Sequence, residues 1–354
     1  MLDNAAQCNK RFPGVDVAKI IAIYFVIVVH LLGNGFAFRD GSTRVPCQAI
    51  LYHTLLGLSF SCIDLFALAT GYLCIHSTCR YSRIVNLWLA AVFWGVVMLL
   101  ACSLCGYSVA GESYLDAVLP IWHDQYWFLS AYFMMFLIMP LMNKAILAMT
   151  RKEFRQLFAA VAIFVCGYSM LGADVFGLRS GYSFPWLCMV YVIGAYIRLF
   201  NPCRWRKLCC FMSAVGIAIA TAFAYLSLRH FLPNVRFSFV SYVSAPTLSI
   251  AILIFMGSLQ IEFGERMSRI VKAVAATTFG IYLIHVQPFV WGNIWKVGLS
   301  RIKIGTAFEL ILAVAGLSIA VFAVLALLEH LRQVTFERIG LNRIVAKIDT
   351  WVSR

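Results

Sequence analysis

The chain has 354 residues, of which 62% are apolar and 12% are charged, and its formal net charge is +14. Soluble domains carry about 25% charged residues, so this composition, with a mean hydropathy of +0.86, excludes an ordinary soluble protein and indicates an integral membrane protein. Basic residues collect in the cytoplasmic loops of membrane proteins, so topology explains the positive charge and we expect no nucleic-acid partner.

Apolar runs bounded by charge, proline or glycine predict an all-α fold, a polytopic membrane helical bundle of about ten transmembrane helices. The first run is too long, and too many runs follow it, for a cleaved secretory signal. The bundle forms one domain without a linker, repeat or separate soluble part. The predicted spans are residues 15–38, 47–76, 84–107, 125–149, 156–172, 183–199, 207–229, 240–262, 272–296 and 305–331.

The distribution of basic residues predicts that both termini are cytoplasmic. With this orientation, 19 of the 29 Lys and Arg residues fall in inner segments and eight in outer segments. The loop at residues 107–125 has three acidic residues and no Lys or Arg, so we expect it outside. Residues 332–354 form a basic, amphipathic cytoplasmic tail that suits a helix on the anionic inner leaflet. A basic helix end without a specific role is the alternative.

The first span carries three ionisable residues on one stripe. Asp16 and Lys19 lie near its start, and His30 lies deep inside it. On an α-helix the eleven steps from Lys19 to His30 leave the two side chains about 20° apart around the axis and about 16 Å apart along it. Asp16, three residues before Lys19, shares the stripe. An ionisable group inside a span is a functional-site hypothesis by default, so we predict that His30 is functional.

A second histidine reaches a comparable depth in the ninth span. His285 lies 13 residues after Lys272, which is roughly 20 Å along the helix. One sequence does not establish whether His285 faces His30. Each histidine could instead be a hydrogen-bonded residue of the bundle.

Two other features allow a structural or a functional interpretation. Asp64, in the second span, is either a lock between helices with a polar or basic partner, or part of a watered cavity. Tyr126 and Trp127 begin the fourth span, where an interfacial aromatic belt is ordinary and stacking on a sugar ring is the alternative. The 12 cysteines are scattered, many of them within apolar runs, and we expect no metal site.

Four motifs follow one another along nearly the whole chain. They are Asp16-x-x-Lys19 followed by His30, Ile63-Asp64-Leu-Phe-Ala-Leu-Ala-Thr-Gly71-Tyr-Leu, Tyr126-Trp-Phe-Leu-Ser130 with a downstream Pro140-Leu, and Phe279-Gly-Ile-Tyr-Leu-Ile-His285. In this order they resemble the membrane acyltransferase 3 family, and the first and last motifs are the most specific. The chain departs from the family at Lys19, where Arg is frequent, and at Ala67–Thr70, where an aromatic residue and a Ser are common.

The resemblance implies an integral membrane O-acyltransferase, usually an O-acetyltransferase, with residues 1–331 as its domain, in the cell membrane of a bacterium. Such an enzyme moves an acyl group from cytoplasmic acetyl-CoA or another acyl-CoA to a hydroxyl of a cell-surface or exported glycan, without a metal. A transporter or flippase for a glycan or small molecule is the alternative from another class. Matched Gly/Pro breaks in two halves, which indicate transporters, are not seen.

The resemblance also implies how the acyl donor is held. Lys19, with Arg80 and Arg83, is expected to bind the phosphates of the coenzyme at the cytoplasmic end of the bundle. Lys in place of Arg makes this a point-charge contact instead of a bidentate one. Asp16 is expected to orient Lys19.

The remaining residues are expected at the reacting groups. His30 would act as a general base on the acceptor hydroxyl or as a transient acyl carrier, because imidazole is able to do either. His285 would line the cavity or assist proton transfer. The residues expected to contact the acceptor are Asp64, Tyr126, Trp127 and Tyr282.

Overall fold

The computed structural model describes residues 12–34, 46–77, 81–106, 112–122, 124–172, 174–232, 234–235, 237–288, 290–291, 298, 302 and 304–352. These residues form helices and connecting turns, and no strand occurs among them. Seven helical stretches of the described residues are long and apolar enough to cross a membrane, and one of them, Cys47–Cys74, consists of two helices joined by a short turn. The all-helical membrane architecture expected from the apolar runs is confirmed at this level.

The helices follow the predicted spans in order. Their bounds are α1 Pro13–Asn34, α2 Pro46–Ser59, α3 Cys62–Cys74, α4 Tyr81–Leu104, α5 Glu112–Val118, α6 Trp127–Ala148, α7 Arg151–Ala160, α8 Phe184–Phe200, α9 Lys207–Phe231, α10 Ala245–Leu259, α11 Glu265–His285, α12 Ala307–Arg338 and α13 Leu341–Val352.

Three of the predicted spans are shorter or less regular than the others. Helices α8 and α10 have 17 and 15 residues. The span predicted at residues 156–172 begins in α7 and continues as a π-helical segment, Val161–Gly167, before a last turn at Tyr168–Met170. A count of about ten spans therefore remains a prediction, as does the cytoplasmic location of both termini.

Helix α1 occupies the centre of the bundle. It packs against α2, α3, α10, α11 and α12. Its apolar residues are accordingly among the most buried of the protein, with Ala18, Ala22, Ile23, Ile27 and Leu31 at 0% exposure. Because five helices pack on α1, it has sides on which an ionisable residue faces other helices instead of lipid.

Two glycines allow α3 and α8 to approach closely. A β-carbon added at Gly71 would overlap the carbonyl oxygen of Tyr191, and one added at Gly194 would overlap that of Leu68. Small residues at such crossings let helix backbones come into contact, which is a frequent packing mode in membranes. The close crossing fixes α3, which carries residues of both cavities described below.

A buried carboxylate joins α12 to α4 and α11. Glu329 is 2% exposed and accepts hydrogen bonds from Trp94 on α4 and from Arg332 and Gln333 on its own helix. Gln333 also donates to the carbonyl oxygen of Ala276 on α11. Gly280 makes room for the carboxyl group, because a β-carbon there would overlap it. This cluster holds together two helices that line the candidate site.

Candidate active site

The stripe predicted on α1 meets two different cavities. Lys19 is partly buried and lines one of them, which we call the Lys19 cavity, while His30 lines the other, the His30 cavity. Asp16 is also partly buried and lies close enough to Lys19 for electrostatic attraction. The helical repeat places these residues on one side of α1, as expected, and the surrounding helices divide the space beside them.

The two histidines predicted at similar depth lie against each other. The ring centroids of His30 and His285 are 4.9 Å apart and the ring planes differ by 12°, so the imidazoles are stacked. Trp291 contacts His30 edge-on, with ring centroids 4.4 Å apart and an interplanar angle of 83°. His285 is 0% exposed and ends α11, which packs along α1. His285 does not itself line the cavity that His30 borders, so it contacts His30 as a buried neighbour.

The His30 cavity has a volume of about 290 Å³ and is bordered mainly by aromatic and apolar side chains. Its polar groups besides His30 are few, which is the usual character of a site that binds an organic ligand and orients it through selected hydrogen bonds. The lining residues that carry rings or polar atoms are His30, Cys62, Gln125, Trp127, Tyr242, Tyr282 and Trp291.

The Lys19 cavity is larger, about 450 Å³, and has a different chemical character. Two cations border it, the partly buried Lys19 and the exposed Arg83. Hydroxyl-bearing residues and apolar side chains of α3, α4, α6 and α11 form the remaining wall. They include Thr70, Cys74, Phe128, Tyr132, Thr278 and Tyr282. A cavity with cations at its border and a mixed wall suits an anionic ligand with a long, partly apolar arm.

Tyr282 borders both cavities. Its side chain is 4% exposed, and its ring packs edge-on against Phe128 with centroids 5.5 Å apart. Phe128 lines the Lys19 cavity only. The ring of Tyr282 therefore forms part of the partition between the two spaces, three residues before His285 on the same helix.

Asp64 lies beside the His30 cavity but is not among its lining residues. Its side chain is 0% exposed, and one carboxyl oxygen accepts a hydrogen bond of 2.9 Å from the indole N–H of Trp186 on α8. Its neighbours Cys62 and Ile63 do line the cavity. Asp64 therefore links α3 to α8 by a hydrogen bond, which agrees with its interpretation as a lock between helices with a polar partner.

Of the two aromatic residues at the start of α6, one lines a cavity and the other does not. Trp127 lines the His30 cavity and packs on Tyr182, with ring centroids 4.7 Å apart. Tyr126 is 1% exposed, with its ring centroid 6.3 Å from that of Tyr282, and it lines neither cavity. Arg80, expected beside Arg83, lies outside the described residues.

Several cavity residues were not singled out from the sequence. Trp291 and Tyr242 line the His30 cavity but lie outside the long helices, Tyr242 in a turn and Trp291 in a short helical stretch at residues 290–291, so no periodic pattern marks them. Thr70 and Tyr132 contribute hydroxyl groups to the Lys19 cavity from two helices. In the sequence these two residues are marked only by their nearness to motifs. Thr70 lies within the motif from Asp64 to Gly71, and Tyr132 lies two residues after Ser130.

No group of three or more His, Cys, Asp or Glu side chains suited to a metal occurs in the part of the chain that the structure describes. The candidate functional groups are the stacked imidazoles, the cations of the Lys19 cavity and the tyrosine that borders both cavities. Cations beside one ligand space and a potential base beside another form an arrangement that a group-transfer enzyme is able to use.

Comparison with known families agrees with this class. Residues 12–330 match the family model Acyl_transf_3, described as an acyltransferase domain. The chain belongs to this family and is a membrane acyltransferase. No curated protein and no solved structure gives a significant match.

Proposed function

We propose that this membrane acyltransferase moves a short acyl group, most simply acetyl, from acyl-CoA in the cytoplasm to a hydroxyl group of a cell-surface or exported glycan. One observation carries the proposal. A cavity bordered by Lys19 and Arg83 and a cavity bordered by His30 adjoin on either side of Tyr282.

The Lys19 cavity suits the acyl donor. Coenzyme A has phosphate groups at one end and a thioester at the end of a flexible arm. Lys19 and Arg83 offer charge-assisted hydrogen bonds to phosphate oxygens at the border of the cavity. Thr70, Tyr132 and Thr278 offer hydroxyl groups to the amides of the arm. The arm then points along α1, on which His30 lies about 16 Å beyond Lys19.

His30 is the proposed general base. It removes the proton from the acceptor hydroxyl as the oxygen attacks the thioester carbonyl. The new ester C–O bond forms, the C–S bond breaks, and the coenzyme leaves as a thiolate that takes up the proton. Two imidazolium cations with ring centroids 4.9 Å apart would repel each other, so the stacked pair is suited to accepting one additional proton, with one positive charge between the two rings.

The His30 cavity suits a sugar as the acceptor. Trp127, Tyr242 and Trp291 give it flat apolar surfaces, and Gln125 and the tyrosine hydroxyls give it hydrogen-bonding groups. Sugar rings have an apolar face and polar edges, so they pack on aromatic rings while hydroxyl groups bond to side chains. The cavity volume of about 290 Å³ accommodates one sugar residue of a longer chain.

The decisive test compares two histidine substitutions in the purified protein in lipid nanodiscs. His30→Gln should reduce acyl transfer from radiolabelled acetyl-CoA to a hydroxyl acceptor by about 10²–10⁴-fold, the contribution of a general base. His53→Gln is the matched control, since His53 is a partly buried histidine of α2 packed on Tyr225. It should retain transfer. Wild-type transfer by the His30 variant would refute the assignment.

A binding measurement separates the enzyme from a transporter. Both classes explain two cavities beside charged helices, but only the enzyme requires the coenzyme. Equilibrium binding of radiolabelled acetyl-CoA should be saturable in the wild type and should weaken in Lys19→Gln, while His30→Gln should still bind it. Absence of binding in the wild type would exclude the proposed function.

A further inference from the structure

The last helix of the chain is docked on the start of a membrane-spanning helix. Gly340, in a left-handed conformation with φ of 74°, ends α12 and turns the chain into α13. Helix α13 then packs on α4. Val345 is 4% exposed, and Asp349 accepts hydrogen bonds from both the backbone N–H and the hydroxyl group of Ser82.

This contact caps α4. Ser82 lies in the first turn of α4, where backbone N–H groups have no partner within the helix. The Asp349 carboxylate supplies such a partner, and a negative charge at a helix N-terminus is favourable. The next residue, Arg83, borders the Lys19 cavity. The position of α13 is therefore coupled to the segment that carries Arg83.

The other side of α13 combines exposed apolar and exposed basic residues. Ile344 and Trp351 are 62% and 78% exposed and lie seven residues apart, so they share one face. Arg343 and Lys347, four residues apart, are exposed beside them. Asp349 is the sole acidic residue in the sequence of α13, and it is turned towards Ser82.

This combination fits a negatively charged lipid surface. Amphipathic helices with basic residues beside Trp and Ile lie in the interface, with the apolar side chains among the acyl chains and the cations at the headgroups. Helix α13 is located where α4, a 24-residue membrane-spanning candidate, begins. That location brings the exposed face to the level of the headgroups, where basic residues are attracted to anionic lipids.

We propose that α13 binds anionic lipid headgroups and that this binding keeps Asp349 seated on the first turn of α4. The predicted orientation places these headgroups in the inner leaflet. The proposal rests on the proposed function only for its effect on activity, because that effect requires Arg83 to contact the acyl donor. The lipid contact and the capping contact are measurable without any acyl transfer.

Hydrogen–deuterium exchange of the full chain tests the lipid contact. The protein is placed in nanodiscs of phosphatidylcholine or of phosphatidylglycerol. Amides of residues 341–352 should exchange more slowly in phosphatidylglycerol, by about fivefold for each basic residue at the surface. The Arg343→Glu/Lys347→Glu variant should lose this difference. The control Lys152→Glu/Arg155→Glu, with exposed residues of α7, should keep it. Equal exchange of residues 341–352 in both lipids would overturn the proposal.

A second variant tests the coupling to α4. Asp349→Ala should accelerate exchange of the Ser82 amide at least about tenfold and abolish its dependence on lipid charge, because no side-chain oxygen is then left to accept the backbone N–H. Exchange across α8, residues 184–200, should not change, which shows that the bundle remains folded. Unaltered exchange at Ser82 would overturn the coupling. A wild-type protein that shows the expected lipid dependence but no acyl transfer would instead count against the proposed function alone.

Discussion

Replacing Glu329 with alanine should lower the free energy of unfolding by roughly 3–5 kcal/mol, the cost of breaking a buried ion pair by removing one partner. The carboxylate is 2% exposed and pairs with Arg332, whose side chain is only 11% exposed. It also accepts a hydrogen bond of 2.8 Å from Trp94. The variant leaves the guanidinium and the indole N–H without this acceptor, and it opens a cavity beside Gly280.

Reversible unfolding in mixed micelles of increasing denaturing detergent content measures this loss. The matched control is Glu337→Ala on the same helix, because Glu337 is exposed and its replacement should change the unfolding free energy by no more than about 0.5 kcal/mol. Combining Glu329→Ala with Arg332→Ala should restore part of the loss, because the uncompensated charge is then removed.

The same substitution should weaken binding of the acyl donor more than it slows the chemical step. Glu329 and Gln333 hold α11 at Ala276, which borders the Lys19 cavity. The side chains of Glu329 and Gln333 do not themselves border the Lys19 cavity, so the effect would be indirect. The expected result is a higher KM for acetyl-CoA with a smaller change in kcat. A loss of stability below about 1 kcal/mol for Glu329→Ala would refute the reasoning that this cluster holds α4, α11 and α12 together.

Three further predictions concern the helix crossing, the acyl donor and the tail. Gly71→Ala should destabilise the protein by about 1–3 kcal/mol, because the added methyl group overlaps a backbone carbonyl. The control Gly57→Ala, with open space around the added methyl group, should leave the unfolding free energy in mixed micelles unchanged. Lys19→Gln should raise the dissociation constant of acetyl-CoA at least about tenfold and Lys19→Arg much less, by equilibrium binding; equal affinities would contradict a phosphate contact. Asp349→Ala, which removes the acceptor of the Ser82 hydrogen bonds, should raise the KM for acetyl-CoA with little change in kcat, and an unchanged KM would separate the tail from the donor site.

The arrangement along α1 was predictable because it depends on local geometry alone. Helical periodicity relates Asp16, Lys19 and His30 whatever the rest of the chain does, and the structure keeps Lys19 and His30 beside cavities. The depth of His285 followed from the same arithmetic. The stacking of His285 on His30 could not be calculated in this way, because that contact depends on how α11 is rotated against α1.

The partition between the cavities could not be predicted for a related reason. Phe128 and Tyr282 come from helices far apart in the chain, and Trp291 lies in a helical stretch too short to show periodicity. The partner of Asp64 is likewise Trp186, 122 positions away. A residue pattern indicates that a buried carboxyl group needs a partner, but it does not identify that partner.

The sequence by itself determined that the protein is an all-helical membrane protein, which residues share a face of α1, and that its motifs resemble an acyltransferase family. Hydropathy and the 3.6-residue repeat suffice for this, because the bilayer forces each apolar run to satisfy its backbone hydrogen bonds locally. Only the tertiary structure decided that His30 meets His285, that Tyr282 borders two cavities and that α13 caps α4. These contacts depend on the packing of side chains between helices, and such packing is set by the shape of whole surfaces and not by spacing along one of them.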